Sequence, residues 1–280
     1  MAAKLPCTGE KMAYSSGWTV SALVVISSFG SGHATASPPA CRFTGTEKIP
    51  VVYFGGNKTT DRQVDSWSEA AQSIPRYGPK FRFEGHSLHQ APSDQKAVLA
   101  ASRNDIQACV QAIDDPSFEG QVVLVGHSDG GWVINDIVKR VQPSNRTKIK
   151  FVSLDGYAAN GPDFADVDVQ CWTSYVTEKQ PTLPRTCGDI RQEAKSLYTD
   201  EMARCKPGSC RFVAQSGCST NWCPHFRLIN TNVAAGVSQA TYGAVGYDRI
   251  APPLFYLDRF STAGPANAHP AVQTDAADGI

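Results

Sequence analysis

The chain has 280 residues, and its 26 Lys and Arg are balanced by 26 Asp and Glu. A net charge of zero argues against phosphate-backbone binding as the main function, so no nucleic-acid partner is expected. A hydrophobic content of 41% excludes a disordered chain and suits a globular one with a sizeable core.

The first residues read as a processing segment. Lys4 and Lys11 precede the apolar run WTVSALVVISSFG at 18–30, and Ala34-Thr35-Ala36 fits the small-x-small cleavage pattern. The run is shorter than the roughly 20 apolar residues that a spanning helix needs. Residues 1–36 are therefore expected to be a secretory signal peptide, with Met12 as a second candidate start. An uncleaved interfacial anchor is the alternative. Cleavage would leave no stable membrane anchor and would give a secreted, periplasmic or extracellular protein. It would also remove Cys7 and leave Cys41, Cys109, Cys171, Cys187, Cys205, Cys210, Cys218 and Cys223. An even number of cysteines in an exported chain points to disulfides, although spacing alone does not fix their pairing. A metal site is the competing reading. No Cys-x-x-Cys pair occurs, and the nearest spacings are CKPGSC and CSTNWC, so no metal is expected.

Elements then follow in order. PVVYF (50–54) is a short apolar strand ending in Gly55-Gly56, and Val64, Trp67, Ala70, Ala71 and Ile74 recur at helical spacing over 61–74. KFRFEG (80–85) reads as a strand, and residues 93–113 read as one long helix with Ser93 as N-cap. VVLVG (122–126) is a strand, followed by a helix through 131–141 that stops before Pro143. Strands are predicted at 148–156, 170–178 and 210–217, a polar helix around 188–204, and a final helix over much of 225–237. Residues 37–260 form one expected domain, and 261–280, rich in Ala, Gly, Pro and Asp, form an expected disordered tail.

Regular alternation of strand and helix predicts an α/β fold with a doubly wound, mostly parallel sheet. Sites in such sheets lie beyond the carboxyl ends of the strands. That rule selects the loops after Phe54, Gly85, Gly126, Leu154, Glu178 and Ser216.

The loop after Gly126 carries GHSDG at 126–130. The bare pattern G-x-S-x-G is weak, but here it follows an apolar strand and opens an amphipathic helix, the context a nucleophile elbow requires. A serine in a strained, tight turn needs tiny neighbours two residues away, and Gly126, Gly130 and Gly131 supply them. The helix N-terminus beneath Ser128 offers amide dipoles to a developing oxyanion. The alternatives are a plain turn or a phosphate loop. The latter wants G-x-G-x-x-G or Gly-Lys-Ser/Thr, and neither occurs in this loop.

With GHSDGG and this order of elements, residues 48–237 resemble the α/β-hydrolase fold superfamily. The resemblance implies a serine nucleophile, an acid and a histidine, in that chain order, on a compact sheet without a large cap domain. Ser128 is the implied nucleophile. His225, in NWCPHFRLIN after the last strand, is the implied base. His127 is expected to point away from Ser128, whereas His86 and His89 could line the cleft and His269 lies in the tail. Asp155, in FVSLDGY, is the first choice of acid, and Glu178, in SYVTEKQ, is the alternative. The oxyanion donors are expected to be the backbone N–H of Asp129 and that of Gly56 or Asn57. Asn57 also opens a glycosylation sequon, as does Asn145. No glycan is expected at Asn57, because it would block the cleft.

These expectations describe a secreted serine hydrolase acting on small carboxylic esters through an acyl-enzyme, with no cofactor. The short spacing between Asp155 and Gln170 predicts an open site, and Cys218 and Cys223 are read as a brace for the loop carrying His225. A catalytically silent binding protein on the same fold is the alternative from another class, and a peptidase or thioesterase is the alternative within the same chemistry.

Overall fold

The computed structural model describes residues 40–43, 48–89, 91–244 and 250–261. The signal-peptide segment 1–36 lies outside these residues, as does all of the 261–280 tail except its first residue.

Six strands form one sheet in the order β2-β1-β3-β4-β5-β6, and every neighbouring pair is parallel. They are β1 (Ile49–Phe54), β2 (Phe81–His86), β3 (Val122–His127), β4 (Ile149–Leu154), β5 (Asp168–Val176) and β6 (Cys210–Gln215). The predicted doubly wound sheet is thus present, and it is parallel throughout rather than mostly so. β1 and β3 are adjacent although β2 lies between them in sequence, so the chain reverses direction across the sheet there. That switch point opens a crevice at the carboxyl ends of β1 and β3.

Both faces of the sheet are covered, which explains why its central strands are continuous apolar runs rather than alternating ones. Val52, Phe54 and Leu124 pack with Ile106 of α3 (Arg103–Asp114) and with Ile134 and Ile137 of α4 (Gly130–Arg140). Val51, Tyr53, Val123 and Val125 face the other way, onto Trp67 of α1 (Asp61–Ser73), Phe226 and Tyr256. Each such side chain, once fully buried, contributes about 1.5–3 kcal/mol. α1 starts sharply because Thr60 and Gln63 form a reciprocal capping box, with Thr60 N donating to Gln63 Oε1 at 2.8 Å.

Three predicted helices are corrected. The long helix over 93–113 is split at Ser102, whose ψ of 10° leaves helical geometry, into α2 (Gln95–Ala101) and α3. Its N-cap is Asp94, which accepts from Ala97 N at 3.0 Å, rather than Ser93. The polar helix at 188–204 is absent. That stretch holds two 3-10 turns, Cys187–Asp189 and Gln192–Ala194, and one four-residue helix, α5 (Thr199–Met202). Asp189 takes the backbone N–H groups of Thr186 (2.7 Å) and Arg185 (3.0 Å), Lys195 bridges to Tyr175, and two cystines tie the segment down. Such local side-chain bonds compete directly with a helix. The last predicted helix is only α6 (Trp222–Arg227); beyond it Asn230 Oδ1 accepts from Asn232 N at 3.1 Å, an Asx turn that redirects the chain.

All eight cysteines of the described part are paired: Cys41–Cys109, Cys171–Cys205, Cys187–Cys210 and Cys218–Cys223.

Candidate active site

β3 runs into the crevice and stops at Ser128, whose φ of +53° lies in the left-handed region. For a residue with a Cβ this conformation costs about 1–3 kcal/mol and persists only when its surroundings impose it. Here they do. Ser128 N donates to Leu154 O at 3.2 Å, and Gly131 N donates to Ser128 O at 3.1 Å. The glycines are required by close approach: a Cβ on Gly130 would lie 2.2 Å from Phe54 O, and one on Gly126 would lie 2.9 Å from Gly131 N. α4 begins directly after this turn, so its N-terminus, the positive end of its dipole, lies beside Ser128.

The loop after β1 closes against the serine. A Cβ on Gly56 would come within 2.9 Å of Ser128 Cβ, so this backbone touches the Ser128 side chain. A turn from Gly56 O to Thr59 N (3.1 Å) holds the loop, and Lys58 takes the left-handed conformation needed there (φ +62°).

Asp155 and His225 meet behind Ser128. Asp155 follows β4, is fully buried, and also has a positive φ (+41°). Its Oδ2 accepts from His225 Nδ1 at 2.6 Å and from Ser196 Oγ, and its Oδ1 accepts from Thr173 Oγ1 at 3.3 Å. A proton on Nδ1 leaves Nε2 of His225 as the free imidazole nitrogen. His225 lies inside α6. Its turn is fixed by Cys218–Cys223, by Ser174 Oγ donating to Pro224 O (2.6 Å), and by His127 Nε2 donating to His225 O (3.2 Å).

Ser128, His225 and Gly56 line one cavity of about 300 Å³ together with Asn57, Tyr198 and the rings of Trp222, Phe226 and Tyr242. Ser128 is 5% exposed and His225 1%, so the site is recessed rather than open. Phe226 and Tyr242 stack at 3.6 Å and give one wall a continuous aromatic face. A larger cavity, about 770 Å³, lies at the opposite end of the sheet beside Ile49 and Pro50, remote from these groups.

The other expected residues are placed elsewhere. Glu178 is an exposed carboxylate that caps a turn by accepting from Gly217 N at 2.6 Å; this backbone bond holds it below the usual carboxylate range. It makes no contact with His225. His86 is bonded to Glu84 (2.6 Å) and His89 to Asp105 (3.1 Å), and neither lines the cavity. His127 does not turn away as expected: it lines the cavity with Ser128 and packs on the His225 ring at 4.3 Å. Burial, and then the neighbouring His225, push its pKa well below the ordinary value. Its Nδ1, like Asn57 Oδ1, has no hydrogen-bond partner among the described residues.

Two residues of the site carry no sequence signal. Tyr198 lies within a polar stretch that reads as a helix, yet its hydroxyl donates to Asp129 Oδ1 at 3.1 Å while Ser93 Oγ donates to Oδ2 at 2.5 Å. Burial is the main cause that pushes the Tyr198 hydroxyl up to about 12, so it stays a proton donor at neutral pH. Ser196, two residues earlier, holds Asp155.

No family model matches the chain, and no curated protein does. Solved structures do. A protein of the alpha/beta hydrolase superfamily from Xanthomonas campestris pv. campestris is 16% identical over 60% of this chain and 87% of its own, with a TM-score of 0.36. Lipase B of Aspergillus fumigatus is 15% identical over 64% of this chain and 47% of its own (TM-score 0.34). An acetylxylan esterase is 14% identical over 70% and 91% (TM-score 0.31). The fold itself is a doubly wound sheet of six parallel strands, with the tight turn at Ser128 directly after β3.

Proposed function

We propose that the chain is a serine hydrolase that cleaves carboxylic esters through an acyl-enzyme on Ser128. One observation carries this reading. A serine forced into a left-handed turn at a strand end shares a pocket with an imidazole whose far nitrogen is bonded to a buried carboxylate.

The chemistry follows from that arrangement. Nε2 of His225 takes the proton of Ser128 as Oγ attacks the ester carbonyl. Asp155 holds the imidazole in the required tautomer and stabilises its charged form. The oxyanion develops over the start of α4, where Asp129 N–H is one donor and the touching backbone at Gly56 supplies the other. His225 then returns the proton to the leaving alkoxide, and water repeats the sequence on the acyl-enzyme. The triad chemistry calls for no metal or organic cofactor. The aromatic wall suits an apolar group of a small substrate. Four disulfides support an oxidising, extracellular or periplasmic location.

The test is hydrolysis of a p-nitrophenyl ester series of increasing acyl length by purified protein and by Ser128→Ala. Turnover by the wild type alone is expected. Equal turnover by both, or none by either, would reject the ester reading and favour a silent binding protein or an amide or thioester substrate.

A further inference from the structure

Three side chains of one short segment converge on the site from a direction that the elbow motif does not supply. Ser196 Oγ donates to Asp155 Oδ2, the same oxygen that receives His225 Nδ1. Thr199 Oγ1 lies 3.3 Å from Thr173 Oγ1, which donates to the other carboxylate oxygen. Tyr198, between them, bonds the buried Asp129 beside the nucleophile. Ser196 and Thr199 are themselves buried, at 4% and 1% exposure. The segment has almost no helix of its own to hold it. It is bound by the cystines Cys187–Cys210 and Cys171–Cys205, which anchor it to β6 and β5, and by the bridge from Lys195 to Tyr175.

We propose that residues 187–205 form a clamp on the acid of the site, with Ser196 as the positioning residue that holds the Asp155 carboxylate against His225. The physical need is specific. A carboxylate has two oxygens and several lone-pair directions, and a single bond to an imidazole leaves it free to rotate about its own axis. Ser196 adds a second donor to the oxygen that meets His225, while Thr173 of β5, itself in contact with Thr199, holds the other oxygen; together they remove that freedom, and at a buried carboxylate each charge-assisted bond is strong. Ser196 acts through Asp155 and touches no substrate. The two cystines thereby belong to the catalytic apparatus as well as to the fold. The proposal rests on the serine-hydrolase reading for its effect on rate, but not for its geometry.

The experiment therefore has two readouts. In Ser196→Ala, phosphonylation of Ser128 by a fluorophosphonate is expected to slow by about 10- to 100-fold, with the ester KM nearly unchanged and kcat carrying the loss. Ser196→Thr should restore most of the rate. Thr173→Val, which removes the longer bond, should show a smaller loss in the same direction. In proton NMR, the far-downfield His225 Nδ1–H resonance should move in Ser196→Ala and in Thr173→Val. It should stay in place in Asp189→Asn, which loosens the same segment without touching Asp155. If Ser196→Ala leaves the resonance and the kcat where Asp189→Asn leaves them, the clamp is wrong. A wild type that is never phosphonylated, but whose resonance still responds to Ser196→Ala, would sink the hydrolase reading and leave the clamp standing.

Discussion

At the end of β3 the geometry is set by backbone. Ser128 is bent by its own hydrogen bonds to Leu154 and Gly131, and glycines give it room. In the segment after β5 the geometry is set by side chains and cross-links: Ser196 and Tyr198 reach the site from turns that two cystines hold. The first region is local in its pattern, since Gly126, Gly130 and Gly131 stand within three residues of Ser128, although Leu154 and Gly56 reach it from neighbouring strand ends. The second is long-range, for Ser196 meets a carboxylate 41 positions away and His225 meets it from 70 positions away. A backbone-built turn tolerates almost no substitution, whereas a side-chain-built clamp should fail by degrees.

The largest effect that sharpens this contrast is on the acid. Asp155→Asn should reduce ester turnover by about 10³- to 10⁴-fold, because the amide reverses the hydrogen-bonding demand on His225 Nδ1. Glu178→Gln should stay within about 3-fold, since Glu178 only caps the Gly217 turn at the surface. Steady-state kinetics on one p-nitrophenyl ester compare the two, and a larger loss in Glu178→Gln would reverse the assignment.

Next in size is Gly56→Ala. Its Cβ would fall 2.9 Å from Ser128 Cβ, so the loop or the serine must shift. A displacement approaching 1 Å costs on the order of 100-fold in rate. The loss should be in kcat, with little change in thermal midpoint, and unaltered kcat would show that the Gly56 loop is not part of the oxyanion site.

The cystines separate stability from catalysis. Cys41–Cys109 closes a separation of 68 residues and Cys218–Cys223 one of 5. Chain entropy assigns about 4 kcal/mol to the first and about 2 kcal/mol to the second. Paired Cys→Ser replacement should therefore lower the urea midpoint more at Cys41–Cys109 and lower kcat more at Cys218–Cys223, which braces the turn holding His225. The same order in both measurements would contradict the division.

The smallest effect is that of His127 on pH stability. Its folded pKa is pushed well below its ordinary value of 6.5. The unfolded chain therefore binds a proton that the folded chain refuses. The stability contributed by its burial is full above pH 6.5 and is lost as pH falls below it, at up to about 1.4 kcal/mol per pH unit. His127→Gln should flatten the fall in urea-unfolding free energy between about pH 6.5 and 5.5. An unchanged slope would assign that fall to other groups.

How much of this the sequence discloses follows the same division. Strands such as VVLV and the glycine-fenced serine are local patterns, and both stand where expected within a residue or so. His225 is a candidate in the sequence because it follows the last strand, and the fold brings it to Asp155. Pattern ranks Asp155 ahead of Glu178 without excluding the latter, since both stand near strand ends; the bond to His225 supports that order. Ser196 and Tyr198 are illegible for a physical reason: they sit in a stretch whose polar composition suits a surface helix, and the cystines that forbid that helix have no readable pairing. His127 is misread because the ring that it packs against lies 98 positions away.

Every step of the proposed chemistry depends on Ser128 being the nucleophile. The direct measurement is intact-mass and peptide-mass analysis after incubation with a fluorophosphonate under native conditions. One adduct per chain is expected on the peptide containing Ser128, lost on unfolding the protein first and absent in Ser128→Ala. A wild type that stays unmodified, or a Ser128→Ala protein modified equally well, would contradict that role.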